Sequence, residues 1–208
     1  MVTPPNSIDT ERLLLRRPVP EDVPAMFENG RNPEVARFMD WPICTDIGQV
    51  AARNAQRQAL WDSGEEYYWV IALKPEMPVI GSMCVHVRKH AADFGYILNP
   101  QYWNNGYATE ASSAIMRWLE SESGIQRIWA TCDVENLASA RVLEKLGLVR
   151  EGLLRRLTVR PNLSELQRDA WMFAKVCGNE QETMELMRCG SAGPELPAVN
   201  THGNQANE

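Results

Sequence analysis

The sequence predicts a mixed α/β (α+β) fold: a mostly antiparallel central sheet flanked by helices. Two patterns predict it. Residues 67–98 hold three strand-like segments joined by hairpin-length turns, and after Pro100 strands alternate with helices. A third observation is quantity: with 44% hydrophobic residues in 208, the chain can bury one sizeable core.

Each element has a local reason. Leu13, Leu14 and Leu15, between Glu11 and Arg16, form a short apolar run fit for a strand. A helix begins at Pro20 and runs to about Phe27, because proline is tolerated in a first turn and Glu21 and Asp22 suit the positive end of the helix dipole. After the turn at Asp40-Trp41-Pro42, Thr45 or Asp46 caps a second helix, with Ile47, Val50, Ala51, Ala55 and Leu60 repeating at helical spacing to about Ser63. Residues 67–73 read as a buried strand. Residues 79–87 set Met83, Val85 and Val87 against Ser82, Cys84 and His86, and 94–98 form the third strand, with turns at 74–77 and 88–92. Beyond Pro100, Ala108, Ala111, Ile115, Trp118 and Leu119 share a helical face, and Ile128, Ala130, Cys132 and Val134 alternate along a strand. Leu143 and Leu146 lie inward on a further helix that Gly147 ends in the left-handed conformation. Strands at about 153–159 and 169–175 complete the body. Trp61, Trp69, Trp118, Trp129 and Trp171 fall within these patterns as core residues.

From Cys177 the composition turns to Gly, Asn, Glu, Pro and Ser, which divides the chain into a folded body, 1–176, and an acidic, largely disordered tail, 177–208. The whole chain has 27 acidic and 21 basic residues, a formal charge of −6, but five of the acids lie in the tail and the body carries only −2. This balance argues against a nucleic-acid partner and is compatible with amine substrates. No apolar run approaches membrane-spanning length and Met1 to Ser7 lacks the pattern of a secretory signal, so no membrane association and a cytoplasmic location are expected. Cys44, Cys84, Cys132, Cys177 and Cys189 lack any Cys-x-x-Cys spacing and read as reduced thiols. His86 and His90 flank a strand end and read as an ordinary strand residue and a turn residue, so no metal is expected.

The most informative stretch runs from Leu98 to Ala111, where a strand ends and a Gly-centred loop, Asn104-Asn105-Gly106-Tyr107-Ala108-Thr109, opens a helix. Such a helix start exposes free N–H groups and the positive dipole end, which together hold phosphate. The segment Trp103-Asn-Asn-Gly-Tyr-Ala-Thr-Glu-Ala111 resembles the acetyl-CoA diphosphate loop of the GNAT superfamily of N-acetyltransferases, in the Trp-Gly-Lys-Gly-Tyr-Ala-Thr-Glu-Ala form of its RimJ/RimL-like branch, the type that acetylates ribosomal-protein alanine N-termini. Three further stretches agree in order: Asp9 to Arg16, Phe94 to Leu98, and Asn136 to Gly147. The resemblance covers about residues 8–176.

It implies a GNAT-like sheet splayed at the acetyl-CoA site, with Tyr96 and Leu98 offering main-chain groups to the pantetheine arm and Asn104, Asn105, Gly106, Tyr107, Ala108 and Thr109 cradling the diphosphate. Asn104-Asn105 replaces the usual Gly-Lys, which removes a cation from the loop. By family position, Arg141 and Lys145 are candidates for the adenosine phosphate. The Asn-x-x-Ser stretch implies that Asn136 contacts the cofactor arm and Ser139 lies near the thioester sulfur as proton donor or orienting group, although both residues are also good helix caps. The acceptor-side segment corresponds to Phe38, Asp40 and Trp41.

Acyl transfer from a thioester needs a neutral amine, donors for the developing oxyanion and a proton for the leaving thiolate. Where some relatives place a carboxylate this chain has Thr158, so Asp93 and Glu151 are the alternative bases, or water serves. An α-amine of pKa about 7.8 is roughly a quarter neutral near pH 7.4, a lysine amine about one part in a thousand. A site without a strong base therefore favours an N-terminal α-amine. The expected activity is acetyl-CoA-dependent acetylation of a protein or peptide N-terminus by direct attack in a ternary complex. The alternatives are acetylation of a small amine (antibiotic, polyamine or amino-acid derivative) and a non-catalytic CoA-binding regulator. A monomer or homodimer is expected.

Overall fold

A computed structural model describes residues 2–178. The tail, from residue 179 onward and including Cys189, lies outside the described residues. One eight-stranded sheet runs in the order β1-β2-β3-β4-β5-β6-β8-β7. Its strands are β1 (Ser7–Asp9), β2 (Leu13–Arg16), β3 (Tyr67–Leu73), β4 (Val79–Arg88), β5 (Ala91–Leu98), β6 (Arg127–Asp133), β7 (Val149–Arg160) and β8 (Ser164–Val176). Every neighbouring pair is antiparallel except β5 with β6, which is the mixed, mostly antiparallel sheet expected from the sequence.

The helices are α1 (Val23–Arg31), α2 (Pro33–Ala36), α3 (Ile47–Ser63), α4 (Tyr107–Ser121) and α5 (Leu137–Lys145). The helix expected from Pro20 opens as a single 3-10 turn, Pro20–Asp22, because Asp22 accepts from the Val19 N–H and also holds Arg16 at 2.7 and 2.8 Å. Of the two proposed caps for α3, Asp46 is the one used, accepting from the Gly48 N–H at 2.8 Å. Gly147 follows α5 at φ 80°, as its position required.

The sequence reading missed β1 and α2, which are three and four residues long and too short to show a period. It also shortened β7 and β8. Their outer portions are exposed and polar, so the alternation that marks a buried strand fades before the hairpin ends.

The main core lies between the sheet and α4, with Trp69, Ile71, Met83, Ile115, Leu119, Ile128 and Phe173 all but inaccessible. Trp61, Trp69 and Trp118 meet edge to face at 4.9 and 5.5 Å between ring centres, so these three indoles are packing residues. A smaller cluster on the other face seats α1 and α3 through Met26, Val50, Tyr68 and Val70. Among the described residues no helix is long and apolar enough to cross a membrane, and Cys44, Cys84, Cys132 and Cys177 are free thiols.

Candidate active site

The parallel pairing of β5 with β6 spans only Ala91–Asp93 against Arg127–Trp129. Beyond it the two strands have no shared register, and β5 stays bonded to β4 alone. Alternation decides where its free groups point. The Asn99 N–H bonds toward β4, to Ile80 O at 2.8 Å, so the main-chain groups of Tyr96 and Leu98 face the other way, into the gap. The Leu98 carbonyl is already met there by the Trp103 indole N–H at 2.7 Å.

At the open end of the gap the chain passes through residues 103–106 into α4. Asn104 and Gly106 both adopt the left-handed conformation, φ 62° and 81°. Asparagine tolerates this conformation and glycine has no Cβ to oppose it. No side chain caps α4, so the N–H groups of its first turn stay available to a ligand. Donors of this kind suit an anion without any charged side chain.

A cation is nevertheless present, from a part of the chain the sequence reading did not connect to the loop. Arg12 donates from Nη1 to Asn105 O at 3.0 Å, and its Cζ stands 4.6 Å from the centre of the Tyr107 ring. Glu110, in the first turn of α4, places Oε2 at 2.7 Å from both Nε and Nη2 of Arg12. Its Oε1 accepts from the Arg12 main-chain N–H at 2.9 Å and from Thr10 at 2.6 Å. Burial pushes the Glu110 carboxyl upward, but these bonds from Thr10 and Arg12 outweigh it and hold the group below its ordinary range.

Across the gap, only one of Asn136 and Ser139 caps the helix with its side chain. Asn136 caps α5, accepting from the Ser139 N–H at 3.1 Å. The Ser139 hydroxyl is left free of capping, and Tyr96 donates to its Oγ at 3.4 Å. Burial pushes the Tyr96 phenol up to about 12, so it keeps its proton at neutral pH. Because Tyr96 supplies a hydrogen to Ser139 Oγ, the Ser139 proton points elsewhere, toward whatever occupies the gap. Arg141 and Lys145 are exposed one turn apart on α5.

Neither candidate base meets Ser139. Glu151 is a correction to the sequence reading: it forms a two-pronged ion pair with Arg127, one arm at 3.0 Å, at the start of β6. Six residues of strand, about 20 Å, separate that end from the turn into α5. Asp93 lies on the opposite face of the sheet from Tyr96, since side chains three apart on a strand point oppositely. It holds His86 Nδ1 at 2.9 Å, and Glu66 stands 3.6 Å from Nε2. Hydrogen bonds to Asp93, then to Glu66, raise the His86 pKa to about 9. His86 is a strand residue as expected, but a charged one joining two carboxylates in a row across β3, β4 and β5.

The acceptor-side segment crosses this same face. At the end of α1, Asn29 accepts from Asn99 Nδ2 at 3.0 Å, just beyond β5. From there the chain runs to the β7–β8 turn, where one side chain holds it: Asn162 Nδ2 donates to Ala36 O at 2.7 Å and Trp41 O at 2.8 Å, and its Oδ1 accepts from the Ile43 N–H at 3.0 Å. Phe38 and Trp41 are half-buried there and Asp40 is exposed. Arg160 lies within electrostatic reach of Asp40 and Asp133, and burial lowers its pKa. Asp133 in turn is fully enclosed by Arg168, at 2.7 and 3.0 Å. The ends of β5 and β6 thus stand near an uncapped helix start, a Tyr96–Ser139 hydroxyl pair and a segment strapped by Asn162.

Comparison with known proteins agrees with this geometry. The acetyltransferase (GNAT) domain family matches residues 12–149. An uncharacterized N-acetyltransferase of Bacillus subtilis strain 168, YoaA, is 32% identical over 151 residues, covering 71% of this chain and 85% of its own. Among solved structures, RimL, a ribosomal L7/L12 alpha-N-protein acetyltransferase in complex with coenzyme A, superposes with a TM-score of 0.73 at 22% identity over 82% of this chain and 98% of that one. The microcin C7 self immunity acetyltransferase MccE, in complex with acetyl-CoA and AMP, gives 0.73 at 18% identity over 80% and 93%. These two likenesses speak to the fold, while the family match and YoaA carry the assignment: this chain belongs to the GNAT acetyltransferases and is an acetyl-CoA-dependent N-acetyltransferase.

Proposed function

We propose that the acceptor is the α-amine of a protein or peptide N-terminus, acetylated by direct attack in a ternary complex. The observation that carries this reading is the Tyr96–Ser139 hydroxyl pair beside the gap, with neither Asp93 nor Glu151 bonded to it. In the reaction the neutral amine forms a C–N bond to the thioester carbonyl carbon and the C–S bond breaks. The leaving thiolate takes the Ser139 proton, which Tyr96 and solvent replace. Main-chain groups of Tyr96 and Leu98 hold the pantetheine arm, and Asn104, Asn105, Gly106, Tyr107, Ala108 and Thr109 hold the diphosphate. The Asn136 amide lies against the same arm, and Arg141 and Lys145 serve the adenosine phosphate. Phe38, Asp40 and Trp41 receive the acceptor, with Asp40 attracting its ammonium form.

The amine must shed one proton. Asp93, 2.9 Å from His86 Nδ1, is the carboxylate on the acceptor face beside the end of the β5–β6 pairing, and it takes that proton through water. So weak a base suits an amine already partly neutral, which favours α-amines over lysine. The rate is expected to rise with pH and level off near the α-amine pKa, about 7.8, whereas a lysine-like amine would keep it rising beyond pH 9. The deciding experiment offers acetyl-CoA with pooled N-terminal peptides, polyamines and aminoglycosides and finds the acetylated product by mass spectrometry. An acetylated peptide α-amine is the expected result. A product found only among the small amines would replace this reading with metabolic or resistance chemistry, the kind of role that MccE's name describes.

A further inference from the structure

We propose that Arg12 is a positioning residue for cofactor recognition, which fixes the shape of the diphosphate loop by its forked geometry. The proposal rests on the reading of residues 104–109 as the diphosphate site.

Four contacts converge on this side chain. Its fork grips Glu110 Oε2 from Nε and Nη2, both at 2.7 Å, which ties it to the first turn of α4. Nη1 takes the Asn105 carbonyl at 3.0 Å, and that bond holds the peptide between the two left-handed residues, Asn104 and Gly106. The guanidinium plane lies near the Tyr107 ring, and its Nη2 would stand 3.4 Å from any Cβ added at Gly106. Asn105, Tyr107 and Glu110 are thus touched by one cation.

The geometry also says which property of arginine matters. Arg12→Ala would leave the Glu110 carboxylate unpaired beside the loop, whereas Arg12→Lys keeps the charge and removes only the fork, so the two contributions separate. A lysine ammonium, a point charge with no planar fork, cannot meet Glu110 and Asn105 in these directions together. Arg12 therefore works by shape. Its loss also leaves the rest of the corner intact, because the Arg12 main-chain N–H and Thr10 still hold Glu110 Oε1.

The test measures binding of two probes, coenzyme A and pantetheine, which share the arm and differ in the diphosphate and nucleoside, to the full chain and to Arg12→Ala, Arg12→Lys and Glu110→Gln by calorimetry. Unliganded melting temperatures confirm that each variant is folded. Coenzyme A is expected to bind about tenfold more weakly to both Arg12 variants, which is about 1.4 kcal/mol, and several-fold more weakly to Glu110→Gln, while pantetheine binding stays within about twofold. Wild-type affinity for coenzyme A in Arg12→Lys would overturn the role of shape, and equal losses on both probes would reduce Arg12 to general support of the fold. A wild-type chain that binds coenzyme A no better than pantetheine would sink the diphosphate reading itself.

Discussion

The loop at 103–109 and the segment at 36–43 are held in opposite ways. The loop is continuous with a strand on one side and a helix on the other, and its shape follows from its own left-handed residues together with the Arg12–Glu110 pair. The acceptor segment has little secondary structure of its own and is fastened by Asn162, more than a hundred residues away. One surface is specified locally and the other by a distant side chain. That arrangement lets a fixed donor be used with many acceptors, since the segment and the β7–β8 turn can vary together without disturbing the loop.

The largest effect should come where the two surfaces meet. Ser139→Ala is expected to lower kcat on the order of 100-fold while leaving affinity for acetyl-CoA nearly unchanged, because the hydroxyl works on the leaving thiolate and its N–H still caps onto Asn136. Steady-state kinetics with the acceptor found by mass spectrometry would check it, and a loss confined to acetyl-CoA affinity would move Ser139 to the cofactor side.

Asn162→Ala cuts the strap. The Ala36 and Trp41 carbonyls and the Ile43 N–H lose their partner together, at a cost of about 1–3 kcal/mol in stability and roughly tenfold in acceptor KM, with acetyl-CoA KM unmoved. If both KM values rose, the two surfaces would not be independent and the comparison would fail.

His86→Gln probes the layer beneath the acceptor side. The His86 pKa is raised in the folded state to about 9, against 6.5 for an ordinary imidazole, so its pairing with Asp93 and Glu66 stabilises the fold fully below about pH 6.5 and fades as pH rises through 9. The variant should be less stable by on the order of 2–3 kcal/mol at pH 6, and the deficit should close by about pH 10, as read by urea unfolding. A deficit independent of pH would mean that packing, not charge, is what His86 contributes. Smallest of all, the double change of Arg141 and Lys145 to Ala should raise acetyl-CoA KM about twofold, since exposed cations are worth less than about 1 kcal/mol.

Legibility followed the same division. The strands from Tyr67 to Leu98, the α4 face and the loop were readable because their information is contiguous: alternation, helical spacing and a Gly-centred turn. Which of Asn136 and Ser139 caps α5 was not readable, because the two are equally good caps on paper. Arg12, His86 and Asn162 left no local trace. The Thr10–Arg12 and Glu110 stretches were both noted, yet nothing in a single sequence says that residues 98 apart share an ion pair. Asn162 looks like any turn asparagine until the carbonyls it holds are seen. Glu151 failed as a base for a related reason: a carboxylate's usefulness depends on its neighbour, and Arg127 reaches it only through the order of strands in the sheet.

The short parallel pairing of β5 with β6 has a mechanical meaning. Five strands lie on one side of the seam and three on the other, and three residue pairs are all the sheet bonding that crosses it. On the proposed function, a pantetheine arm lying there would bond to the margin of β5 as a further strand would, and the substrate would act as a removable part of the scaffold. The empty enzyme is its own most pliable form. Ligand at a hundred times its Kd would add about 2.7 kcal/mol to the stability of the whole fold.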